Sequence, residues 1–164
     1  MNRILIVDDE AGVLQALKRV LRRHFGSGLQ VDTETDALAA LQRCRSESYD
    51  AVISDLQMPA MDGVSLLSLV SALQPQCPRL MLTGSGELAA AQRAIQDAGV
   101  FRYLTKPWVT AELVAHVRAA LEHSPRGLLG PVPGAARSAH EVPHEAAREA
   151  ADRPHASAPE SEVS

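Results

Sequence analysis

Residues 4–10 read ILIVDDE, four apolar side chains running straight into three carboxylates, Asp8, Asp9 and Glu10. Ile4 to Val7 lacks the alternation of a strand with one wet face. A continuous apolar run of this length suits a strand buried on both faces, as in a parallel sheet covered by helices. Like charge at the end of such a strand is costly. Two carboxylates about 4 Å apart repel by roughly 4 kcal/mol at an effective dielectric near 20. Either a cation offsets that repulsion or the acids turn into water.

The pattern recurs along the first 123 residues. Leu29–Asp32 reads as a short strand. YDAVISD holds a second buried run, Ala51 to Ser54, ending on Asp55; RLMLTG holds a third, ending on Thr83; VFRYLTKP reads as a fourth, ending at Lys106. Helical spacing fills the intervals. Val13, Leu14, Leu17, Val20 and Leu21 share one face, with Lys18, Arg19, Arg22 and Arg23 on the other, and Gly26-Ser27-Gly28 stops that helix. Asp36 is placed to cap a helix bearing Leu38 and Leu41. Val64 to Leu73 precedes Pro75; Leu88, Ala91 and Ile95 precede Gly99; Thr110 is placed to cap a helix with Leu113, Val117 and Leu121. Strand then helix, five times over, specifies an α/β doubly wound, five-stranded parallel sheet with right-handed crossovers.

In open parallel sheets, ligands bind outside the carboxyl ends of the strands. Those ends hold Asp8 and Asp9, Asp55, Thr83 and Lys106, so the topology gathers residues far apart in sequence onto one rim. Acidic oxygens suit a hard divalent cation such as Mg²⁺, which typically takes one or two carboxylates and keeps several waters. Thr83 and Lys106 are suited to the remaining oxygens of a phosphoryl group. Lys106 stands out in composition: of 16 basic residues only Lys18 and Lys106 are lysine. A compact ammonium at a strand end is a different tool from a guanidinium.

Composition bounds the alternatives. The 164 residues are 46% hydrophobic with a formal charge of −4, enough for one core and without a basic stripe of the kind that binds nucleic acid. No apolar run approaches the ~20 residues of a membrane span, and acids follow the short apolar stretch at the start, which argues against a signal peptide. A cytoplasmic protein is the expectation. Cys44 and Cys77 have no metal-ligand spacing. Residues 124–164 carry six of the ten prolines and few large apolar side chains. They are expected to form a disordered tail, with at most a short helix around His144 to Asp152.

Together these pieces resemble the receiver domain of two-component response regulators over roughly residues 2–122. LIVDDE supplies the acidic pair, ISDLQMPAMDG an acceptor aspartate with its Met-Pro and Asp-Gly, LMLTGSG the hydroxyl residue and FRYLTKPW the Lys-Pro. The resemblance implies a flavodoxin-like sheet of order 2-1-3-4-5 with five helices in residues 1–123. It implies that Asp55 accepts a phosphoryl group, without ordinary enzymatic turnover, from a sensor histidine kinase or histidine phosphotransfer protein. Asp9, Asp55 and the backbone carbonyl of Gln57 would bind Mg²⁺ directly, with Asp8 acting mainly through a bound water. Thr83 and Lys106 would contact phosphoryl oxygens. Tyr103, three residues before the lysine, stands where the family keeps its switch aromatic. No output domain follows in this sequence, so a stand-alone receiver is expected to act through a partner, or as a homodimer, on the face of helix 4, strand 5 and helix 5.

Other readings make different demands. A receiver that docks partners without phosphorylation usually lacks the acidic pair, the acceptor or the lysine. A flavodoxin-like cofactor binder needs a phosphate loop after the first strand, where this chain has DDEAG. HEVPH, His140 to His144, fits a zinc-peptidase pattern, but that chemistry needs both histidines on one face of a formed helix, with Glu141 as base. Pro143 works against the helix. The acids of residues 8–10 also suit the first turn of a helix by charge alone.

Overall fold

Residues 1–84 and 86–127 are described in a computed structural model of the chain. In order they form β1 (Asn2–Val7), α1 (Ala11–Phe25), a 3-10 turn at Gly26–Gly28, β2 (Leu29–Glu34), α2 (Ala37–Ser46), β3 (Ala51–Asp55), α3 (Gly63–Leu73), β4 (Arg79–Thr83), α4 (Leu88–Asp97), β5 (Arg102–Thr105) and α5 (Thr110–His123). The strands make one sheet of order β2-β1-β3-β4-β5, and every neighbouring pair is parallel. The HEVPH segment and the short helix expected near His144 lie outside the described residues. Among the described residues no helix is long and apolar enough to cross a membrane.

The apolar runs of β1, β3 and β4 are continuous because each of these strands feeds two cores. Successive side chains point to opposite faces. Ile4 and Ile6 of β1, Ala51 and Ile53 of β3 and Leu80 and Leu82 of β4 pack with Leu14, Leu17 and Leu21 of α1 and Leu113, Val117 and Leu121 of α5. Leu5, Val7, Val52 and Met81 face the other way, onto Ala40 and Leu41 of α2, Leu66, Leu67 and Val70 of α3 and Ile95 of α4. Truncating one such fully buried leucine to alanine typically costs about 2–5 kcal/mol.

Two local expectations are corrected. VFRYLTKP is not a buried run: β5 is an edge strand on which only Leu104 is buried, and Tyr103 is 45% exposed. With a neighbour on one side only, β5 has fewer elements to cover it. Thr110 does not cap α5; it is the first helical residue, and Val109 holds the cap position without a side-chain bond. Asp36 does cap α2, accepting from the Ala39 N–H at 3.0 Å.

Candidate functional site

The turns at the carboxyl ends of β1, β3, β4 and β5 place the expected groups together. After β1, Asp8 turns inward and is fully buried while Asp9 stays exposed. Asp8 Oδ1 accepts the Glu10 N–H at 2.9 Å, so this carboxylate also shapes the entry to α1. Asp55 ends β3 and is buried. The carboxylates of Asp8, Asp9 and Asp55 offer oxygens all within 4.8 Å of one another. Lys106, from the end of β5, reaches them with Nζ 2.8 Å from Asp8 Oδ2 and 3.1 Å from Asp55 Oδ1. Glu10, exposed, lies 3.9 Å from the same ammonium.

One ammonium for three converging carboxylates is an incomplete neutralisation. Burial, and after it the charge of Asp8, pushes the Asp55 carboxyl above its ordinary 3.8, and Lys106 offsets this only in part. Burial alone would lower Lys106, but its hydrogen bonds to Asp8 and Asp55 outweigh that and hold its ammonium above the ordinary lysine value. The donor set left facing the rim is all oxygen, which matches a hard divalent cation and not a soft one.

The loop after β3 explains why Asp-Gly follows Met-Pro. Asp62 caps α3, its Oδ1 accepting the Ser65 N–H at 2.8 Å. Gly63 donates its N–H to the Leu56 carbonyl at 2.7 Å. A Cβ on Gly63 would collide with the carbonyl of Asp55 and stand 3.0 Å from Leu56 Cα. The backbone of α3's first turn therefore lies directly on that of Asp55, and only glycine fits. The stretch from Met58 to Asp62 is the loop its residues specify, and Gly63 is already the first residue of α3. The usable signal was a glycine, a poor helix former, at the very start of an apolar helix.

The other expected residues are placed less directly. Gln57 is exposed, two residues beyond Asp55. Thr83 is fully buried at the end of β4, but its hydroxyl donates to the Leu104 carbonyl of β5 at 3.4 Å. Tyr103 is on the outer edge of the sheet. Trp108, Met58 and Met61 pack against the cores as partly buried side chains.

Residues 4–118 match the family model of the response regulator receiver domain. The chain belongs to that family. Its receiver domain is 38% identical over 119 residues to the transcriptional regulatory protein PrrA of Mycobacterium tuberculosis, covering 73% of this chain and 49% of PrrA. It is 35% identical over 120 residues to the DNA-binding transcriptional regulator NtrC of Escherichia coli K12, covering 73% of this chain and 25% of NtrC. The chain thus spans about half the length of one relative and a quarter of the other. Among solved structures, the receiver domain resembles the signal receiver domain of an HD domain-containing protein from Pseudomonas fluorescens Pf-5, with TM-score 0.68, 37% identity and coverage of 74% of this chain and 95% of that one. It also resembles the chemotaxis response regulator CheY4 of Vibrio cholerae, with TM-score 0.66, 28% identity and coverage of 74% and 99%.

Proposed function

We propose that the protein is a phosphoreceiver whose acceptor is Asp55. The observation that carries this reading is the convergence of the Asp8, Asp9 and Asp55 carboxylates on one ammonium, Lys106 Nζ. An Asp55 oxygen attacks the phosphorus of a phosphohistidine on a histidine kinase or phosphotransfer protein. The P–N bond breaks, its electron pair leaves with the imidazole, and an acyl phosphate forms on Asp55; water later hydrolyses it. Burial beside Asp8 makes the Asp55 oxygen more basic than a free aspartate's. Lys106 holds an oxygen of the transferred group and balances its charge, about −1.5 to −2 for a phosphoryl group near neutral pH. Asp8, Asp9, Asp55 and the Gln57 carbonyl are the residues that would hold Mg²⁺. Bound there, Mg²⁺ supplies charge compensation for the phosphoryl oxygens.

Readout runs through Thr83 and Tyr103 in this proposal. The Thr83 hydroxyl leaves the Leu104 carbonyl for the phosphoryl group, and Tyr103 turns in from its exposed position. The face formed by α4, β5 and α5 then binds a partner or a second copy of the chain. Residues 124–164 take no part in phosphoryl transfer. The test is labelling with acetyl phosphate or a cognate kinase, with and without EDTA. Mg²⁺-dependent labelling lost in Asp55→Asn is expected. Labelling that survives the substitution or chelation would overturn the assignment, and a chain that docks its partner without any labelling would be a phosphorylation-independent module.

A further inference from the structure

Gly84, which follows β4, and Glu87, which precedes α4, are bonded to each other. The Gly84 N–H donates to Glu87 Oε1 at 2.8 Å, and the Glu87 N–H returns to the Gly84 carbonyl at 3.2 Å. The Glu87 carboxylate thus reaches back to the backbone of Gly84, ahead of α4, which begins at Leu88. The carboxylate lies so close over Gly84 that an added Cβ would stand 3.0 Å from Glu87 Cδ and Oε2. Gly84 directly follows Thr83, whose hydroxyl is turned to β5 and whose carbonyl accepts the Lys106 N–H at 2.7 Å. Thr83 is β-branched and fully buried, so turning its hydroxyl swings a methyl through packed space. Relief has to come from the backbone next to Thr83, and there Glu87 holds Gly84.

We infer that Glu87 is a positioning residue: its carboxylate latches the β4–α4 loop and so holds Thr83 in the arrangement turned away from Asp55. The inference rests on Asp55 as acceptor and adds to it a residue that sets the equilibrium between the two loop arrangements. A charge-assisted hydrogen bond that exists in one arrangement only biases the equilibrium toward it. Removing the latch favours the arrangement that grips a phosphoryl-like group, while weakening the resting fold. Those two effects have opposite signs, and a merely structural glutamate would not separate them.

The experiment titrates beryllium fluoride into the full chain with Mg²⁺ present, following the fluorescence of Trp108, the sole tryptophan, two residues from Lys106. Glu87→Ala is expected to half-saturate at about tenfold lower fluoride complex, the shift that ~1.4 kcal/mol produces, with an unchanged or lower melting temperature. Glu87→Gln, which keeps an acceptor without the charge, should fall between. Gly84→Ala is the independent variant: the carboxylate remains, but the new methyl displaces it, and affinity should again rise. It also carries the test if Glu87→Ala does not fold. Variants that bind no more tightly than wild type overturn the latch. A wild type whose response does not depend on Asp55, judged by Asp55→Asn, overturns the acceptor reading and the latch with it.

Discussion

Asp50 sits at the foot of β3, immediately before Ala51, and Asp55 closes the same strand about 17 Å away at ~3.3 Å per residue. Both aspartates are buried. Asp50 has its own donors: the Arg3 N–H at 2.7 Å, the Ser124 hydroxyl at 3.2 Å, Arg126 Nε at 3.0 Å and a second, close bond from Arg126 Nη2. Burial raises its pKa, but Arg126 and the Arg3 N–H prevail and hold the carboxyl below its ordinary 3.8. Asp55 has no such set. It shares Lys106 with Asp8, faces two further carboxylates, and is held above 3.8. The same side chain is satisfied at one end of the strand and left short of positive charge at the other. A buried acid with dedicated donors holds structure, whereas one that shares a cation with its neighbours is poised to take another ligand.

The largest contrast should appear in chemistry. Asp55→Asn is expected to abolish labelling by acetyl phosphate, and EDTA to do the same to wild type. Asp50→Asn should leave the folded fraction labelled at close to the wild-type rate. Phosphoprotein gels on matched folded samples would measure this, and loss of labelling in a well-folded Asp50→Asn would break the contrast.

Stability should reverse the ranking. Asp50→Ala strips the Arg3 N–H and the buried Ser124 hydroxyl of their acceptor, at a cost of about 2–3 kcal/mol, while the half-exposed Arg126 turns to water. Asp55→Asn removes repulsion and should stabilise the metal-free protein. The pH dependences have opposite signs. The folded pKa of Asp55 is raised, so its favourable contribution is complete below 3.8 and is lost as pH rises through the folded value. The gain from Asp55→Asn therefore grows toward neutral pH. The pKa of Asp50 is depressed, so its contribution is complete above 3.8 and is lost as pH falls through the folded value. Urea unfolding in EDTA across a pH series would show the two variants diverging from wild type in opposite directions at neutral pH. Parallel curves would mean that the two ends are alike.

How much of this could be read beforehand follows from where each signal is written. The buried strands show as Ile4–Val7 and Ala51–Ile53 because covering on both faces leaves an uninterrupted apolar run. The rim was legible because Asp8, Asp9, Asp55, Thr83 and Lys106 each stand at a strand's carboxyl end, a local mark with a topological consequence. The foot was not. Ser124 and Arg126 reach Asp50 across 74 and 76 residues, and a break in composition at Ser124 hides bonds of that span. The exposure of Tyr103 was hidden too, since an edge strand and a central one differ in neighbours, not in their own side chains. The Thr83 hydroxyl's choice of the Leu104 carbonyl is a rotamer, which no spacing encodes.

Gly63 tests how tightly the rim is built. Gly63→Ala forces a methyl into the carbonyl of Asp55, backbone against which nothing flexible can give. A loss of about 2 kcal/mol is expected, with slower labelling because the end of β3 must shift. Unchanged stability and rate would mean that α3's first turn can slide away from Asp55. Ala60, in the same loop, has φ 70°, in the left-handed region that disfavours a side chain, so Ala60→Gly should relieve rather than add strain.

The smallest effect belongs to the Arg126–Asp50 pair taken alone. The contact is bidentate, from Nε and Nη2, but the arginine side chain is 45% exposed, so water and salt compete for it. Exposed ion pairs contribute up to about 1 kcal/mol, and the Ser124 hydroxyl and Arg3 N–H stay on Asp50 when the guanidinium is removed. A double-mutant cycle of Asp50→Asn and Arg126→Met should therefore return a coupling of about 1 kcal/mol that shrinks as salt is raised. Arg126→Met should not change the rate at which Asp55 is labelled, since no rim residue bonds to Arg126 among the described residues. A chain cut after His123 loses this pair and should melt lower than the full chain. A coupling of several kcal/mol, or a labelling rate that follows Arg126, would show that the two ends of β3 communicate through the strand.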